Sequence, residues 1–82
     1  MHLHYVKEKD IAYHKAFGKH LVNVIRNNDL TPETVAARGE IETKAVYRVI
    51  NAEHSPTLAT LRAIAKGLNM SISDLLDFNH ED

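Results

Sequence analysis

At 82 residues and a formal net charge of −1, the chain is the size of one domain, with no room for a second. Its 44% hydrophobic and 26% charged residues suit a folded globule rather than a disordered segment, and a domain this small buries only about 60–65% of its unfolded surface, so self-association helps it. The absence of cysteine excludes disulfides and Cys-based metal or redox chemistry, no apolar run approaches the ~18 residues of a membrane span, and the His- and Lys-rich start is not a secretory signal, which leaves a cytoplasmic location as the expectation.

In chain order, residues 1–9 (MHLHYVKEK) mix His, Lys and apolar side chains without a helical stripe and read as an N-terminal arm, either a short strand or a flexible segment. Asp10 is placed to cap a first helix carrying Tyr13, Phe17, Leu21 and Val24 on one side, which ends in the turn-forming Asn27, Asn28 and Asp29. Thr31 before Pro32 marks a second helix start, because a threonine hydroxyl accepts an orphan amide and proline has no amide to leave unpaired. A third helix over about Glu42 to Asn51 has a weaker start, since glutamate is a poor cap. Thr57 precedes an apolar face of Leu58, Leu61, Ile64, Ala65 and Leu68. Ser71 with Asp74 forms a capping box ahead of Leu75 and Leu76. These signals predict an all-α domain of five helices over residues 10–78, with an acidic tail over 79–82.

The second and third helices, about 31–51, read as a pair folded across a tight turn, the arrangement that places a helix in a DNA groove. Charge argues against it at first. Glu33, Glu40, Glu42 and Glu53 outnumber Arg38, Lys44 and Arg48 in and just beyond this stretch. Over the whole chain, however, all ten Lys and Arg lie within residues 1–73 beside seven acids, so the body is mildly basic and the acids crowd the end. At 100° per residue, Val46, Val49 and Ile50 share one side of the third helix. Lys44, Tyr47, Arg48 and Asn51 share the other, with Thr43 at the boundary, and all four acids fall outside that outward set. Arg and Lys can donate to guanine O6 and N7, Asn can pair with adenine or brace a phosphate, and Tyr can pack on a thymine methyl. Taken alone, such a set is more often a solvated helix face.

The context is what lifts it above that. From Phe17 to Leu76 the sequence resembles the phage-repressor and Cro type helix-turn-helix domains, the XRE family. The resemblance rests on FGKHL, LTPETVAARG, the spacing to Val46 and Val49, and SPTLATLRAIAKGLNMSISDLL. It implies a five-helix lambda-repressor-like fold, with Ala36 as the small residue at which the second helix crosses the third. It implies base contacts from Thr43, Lys44, Tyr47 and Arg48 and a backbone contact from Asn51. It also implies a homodimer on a palindromic operator of double-stranded DNA, with recognition helices about 34 Å apart. Thr31, Thr34 and His54 are weaker candidates for phosphate contacts, and capping of the third helix is the simpler role for His54.

The departures carry expectations of their own. Relatives generally have Gln where Pro32 stands, so one phosphate contact is lost. The turn glycine usually occupies the place of Glu40, and Gly39 lies one residue early. Either the turn is rearranged or Glu40 adopts a left-handed conformation costing roughly 1–2 kcal/mol. Ile25 and Ile50 stand where many relatives have an Arg–Glu pair, and are expected to touch. Ala52 and Glu53 replace a glycine and a basic residue, which weakens phosphate binding after the third helix.

The run from Val46 to Leu61 (VYRVINAEHSPTLATL) also resembles antidote proteins of toxin–antitoxin modules, which makes a toxin a possible second partner. A protein-interaction module that kept the fold and lost DNA is the rival from another class. The six histidines lack ligand spacing: His14 and His20 lie about 240° apart on a helix, and His2 and His4 alternate on the arm, so no metal or other cofactor is expected. No phosphate-binding glycine loop, nucleophile motif or paired carboxylates support an enzyme. Met70, Ile72, Leu76 and Phe78 offer more apolar surface than one short terminal helix can hide, and are the expected dimer interface, with the arm as a possible contributor.

Overall fold

The computed structural model describes residues 8–80, with side chains from Asp10 onward. Positions 1–7 of the expected arm, His2 and His4 among them, and Glu81 and Asp82 of the expected tail lie outside the described residues. Five helices follow one another: α1 (Glu8–Asn27), α2 (Pro32–Gly39), α3 (Thr43–Ile50), α4 (Leu58–Gly67) and α5 (Ile72–Leu75), with no strand among the described residues. One large side chain from each is fully buried: Leu21, Val35, Val46, Ile64 and Leu75. The core is therefore a single knot that every helix enters, and it holds no buried polar or charged residue among those described.

Local chemistry explains the starts. Thr31, Thr57 and Ser71 each turn a hydroxyl oxygen onto the amide three residues on, at 3.2, 3.1 and 3.0 Å. At Glu42 the backbone is extended, as at a cap, but the side chain makes no capping bond, so α3 begins weakly as its sequence predicts. Two expectations need correction. α1 starts at Glu8, which places Asp10 in its first turn, where a carboxylate complements the helix dipole instead of capping the end. Leu58 is 70% exposed, because the first residue of α4 precedes the turn that meets the core, and Leu61, Ile64, Ala65 and Leu68 form the buried face without it.

The helix ends share one device. After α1, α2, α3 and α4 the chain passes through a left-handed residue, Asp29, Glu40, Ala52 and Asn69, with φ between 54° and 62°. In each case the next amide reaches back to a carbonyl five residues earlier: Leu30 to Ile25, Ile41 to Ala36, Glu53 to Arg48 and Met70 to Ala65. No glycine has a positive φ. Glycine serves elsewhere, where α2 crosses α4. A methyl group on Gly39 would strike the Ala63 carbonyl oxygen, and one on Gly67 would strike that of Val35. Gly39 is thus a crossing residue, and of the two arrangements open to the turn the chain adopts the left-handed Glu40.

The C-terminal segment is fastened to α1 by a histidine. His20 Nε2 donates to the Leu75 carbonyl at 2.9 Å, and its ring stacks on Phe78 at 5.1 Å between centroids and 17° between planes. Phe17 and Tyr13 complete the aromatic contact, at 5.5 and 5.2 Å from Phe78.

Candidate nucleic-acid interface

α2 and α3 pack across a turn of three residues, 40–42, and α1 and α4 support them from behind. On α3, Val46 and Val49 enter the core while Lys44 and Asn51 are exposed, Tyr47 is 39% exposed, and Thr43 and Arg48 are half-buried. The outward set expected from a 100° rotation per residue is therefore the set that faces away from the core. Among the described residues, no carboxylate pairs with Lys44 or Arg48.

The four acids behave differently from one another. Glu40 lies in the turn and accepts from Lys66 Nζ, on the last turn of α4, at 2.6 Å. That hydrogen bond, then the lysine charge, holds its carboxyl below the usual range. Glu42 and Glu53 are exposed at the two ends of α3. Glu33 corrects the expectation that every acid lies clear of the outward face. Its Oε2 accepts from the Tyr47 hydroxyl at 2.8 Å, a strut between α2 and α3. The hydrogen bond lowers the glutamate pKa and raises that of the tyrosine, since it favours the charged carboxylate and the neutral phenol.

The expected backbone-contacting residues divide. Asn51 closes α3 and leaves its side chain exposed. The Thr31 hydroxyl is occupied by the Thr34 amide and hydroxyl. His54 does not cap α3: its Nδ1 donates to the Ser55 carbonyl at 3.3 Å, and backbone amides of Asn51, Ala52 and Glu53 close the helix instead. Ile25 and Ile50 belong to one apolar cluster and line the same cleft. Arg26 lines that cleft too, beside Thr31, Pro32 and Tyr47. It is absent from the sequence-based site, and the only signal for it was a cation in the last turn of α1. Met70, Ile72 and Phe78 are partly buried against the chain's own core, and Leu76 is 39% exposed.

Among the described residues, no three His, Asp or Glu side chains gather as a metal site would require, and no helix is long and apolar enough to cross a membrane. A pair of short helices across a tight turn, the second presenting unpaired cations outward, makes this a helix-turn-helix of the DNA-binding kind. The chain belongs to the Cro/C1-type HTH DNA-binding domains, whose family model matches residues 20–81. No curated protein and no solved structure shows significant similarity to it. The family is one of DNA binding, typically without catalysis.

Proposed function

We propose that this domain is a transcriptional regulator, acting as a repressor or autoregulator in the cytoplasm, and that it binds a palindromic operator as a homodimer. The observation that carries the reading is the outward, unpaired placement of Lys44 and Arg48 on α3, between acids that are either tied to Lys66 and Tyr47 or set at the helix ends. In this reading Lys44 and Arg48 donate to base edges in the major groove. Thr43 and Tyr47 tune those contacts, Asn51 anchors the backbone, and Thr31, Thr34 and His54 make lesser phosphate contacts. The pairing surface is the end of the domain around Met70, Ile72, Leu76 and Phe78, where Leu76 in particular stands out of its own core.

The test is selection of bound sequences from random duplexes, followed by titration of the selected duplex. Lys44→Ala and Arg48→Ala should each cost about 1–3 kcal/mol and relax preference at one base position. Loss of affinity with unchanged preference at every position would remove both residues from base reading. Sedimentation showing only monomer at about 100 μM would refute the dimer, which is expected to help a domain whose own core is this thin.

A further inference from the structure

We infer that Arg26 is a ligand for the DNA backbone, taking over an anchoring role that the start of α2 cannot fill. The inference rests on the DNA-binding reading of α3 and extends it to α1. Where the end of α1 meets the start of α2 and the middle of α3 there is a cleft of about 270 Å³. Its floor is apolar, with Val22, Ile25 and Ile50 among the lining residues, and its rim carries Arg26, Pro32 and Tyr47.

The chemistry of that rim leaves one strong donor. Pro32 has no amide hydrogen to offer a phosphate. The Thr31 hydroxyl already accepts from the Thr34 amide and shares a hydrogen bond with the Thr34 hydroxyl, which leaves it at most a lesser, uncharged contact. The Tyr47 hydroxyl donates to Glu33, so it is committed while that strut stands. Arg26 is exposed, and among the described residues no carboxylate pairs with it. It sits in the last turn of α1 and lines the same cleft as Tyr47 on α3.

A duplex whose major groove receives α3 runs a phosphate strand along one flank of that helix, and a guanidinium there matches a phosphodiester with two parallel N–H bonds. The Glu33 carboxylate accepts from Tyr47, which lines the same cleft as Arg26. Arg26 therefore supplies the positive charge of this cleft, since positions 31 to 34 hold no cation and one anion, Glu33.

The experiment uses a labelled mixed-sequence duplex of about 20 base pairs, long enough for two half-sites one helical turn apart. Anisotropy titrations of the full chain run from about 50 to 200 mM salt, the range over which counterion release is read. Arg26→Ala should lower the slope of log affinity against log salt by about 0.9 for each protomer engaged, and should weaken binding roughly eightfold per contact at about 0.1 M salt. Arg26→Lys should keep the wild-type slope, and the loss in Arg26→Ala should be the same on unrelated duplex sequences. Should Arg26→Ala lose its helical circular dichroism signal, Arg26→Gln takes its place with the same expected slope.

An unchanged slope in the neutral variants, with Lys44→Ala and Arg48→Ala still weakening binding, overturns the role of Arg26 alone. It would leave the residue a helix-end cation that acts on stability. Absence of any salt-dependent binding by the wild-type chain overturns the DNA reading and the role of Arg26 together.

Discussion

Replacing Gly39 with alanine sets two effects of opposite sign against each other. Intrinsic helix propensity favours alanine by up to about 1 kcal/mol in a helix interior, and by less at the last residue of α2. Packing opposes it. The added methyl would strike the carbonyl oxygen of Ala63, with the carbonyl carbon and Cα of the same residue close behind, and this is α4 backbone, which cannot swing aside as a side chain can. The two helices must then separate, and overpacking of this kind costs about 1–3 kcal/mol. The balance is a net destabilisation of about 1–2 kcal/mol, which for a domain of this size lowers Tm by roughly 5–15 °C. Thermal melts followed by circular dichroism, at one fixed protein concentration, measure it directly. The pair Gly39→Ala with Glu40→Gly, which moves the glycine to the left-handed position, should remain less stable than Glu40→Gly alone. A Tm for Gly39→Ala equal to or above that of the wild type would refute the crossing-contact argument.

Three further expectations are open to the same instruments. Thr57→Ala removes the hydroxyl that caps α4 at 3.1 Å and should cost about 1 kcal/mol in a urea titration, with no change in m-value. Leu75→Ala empties a fully buried site in α5 and should cost about 2–5 kcal/mol, whereas Leu58→Ser, at a position 70% exposed, should stay within about 0.5 kcal/mol of the wild type. The Glu33 and Glu40 pKa values are depressed in the folded chain, so the stabilisation they bring is present above the ordinary carboxylate value of 4.5 and is lost as pH falls through the folded values. The raised Tyr47 pKa acts in the other sense, with its contribution present below 10.0 and lost as pH climbs through the folded value. In an NMR titration, Tyr47→Phe should move the Glu33 carboxyl back up toward 4.5, and an unmoved Glu33 would count against the strut.

What could be read from the sequence was local. Thr31, Thr57 and Ser71 announce three helix starts because a cap involves only a hydroxyl and an amide three positions away. The direction faced by Lys44 and Arg48 follows from helix periodicity once Val46 and Val49 are placed inside. What escaped involves partners distant in the chain or absent from any pattern. Glu33 meets Tyr47, and Glu40 meets Lys66, across gaps of 14 and 26 residues that no spacing rule reports. The start of α1 is not fixed by pattern, because Asp10 serves equally well as a cap or as a first-turn acid. Leu58 joins the apolar face of α4 in the sequence pattern because an apolar residue at a helix start looks periodic even when no neighbour covers it. In sequence Gly39 reads as a displaced turn residue, and only the approach of Ala63 reveals why a side chain is excluded there.

The strut from Tyr47 to Glu33 has a consequence for how such a domain could acquire a new target. Lys44 and Arg48 make no ion pair or side-chain hydrogen bond among the described residues, so each can be exchanged in one step without orphaning a polar partner. Positions 33 and 47 are bound to each other. Losing the phenol strands an anion at the edge of the recognition surface, and losing the anion frees a hydroxyl to seek another acceptor. Diversification along α3 is therefore piecemeal at 44 and 48, and comes in matched pairs where the two helices hold hands.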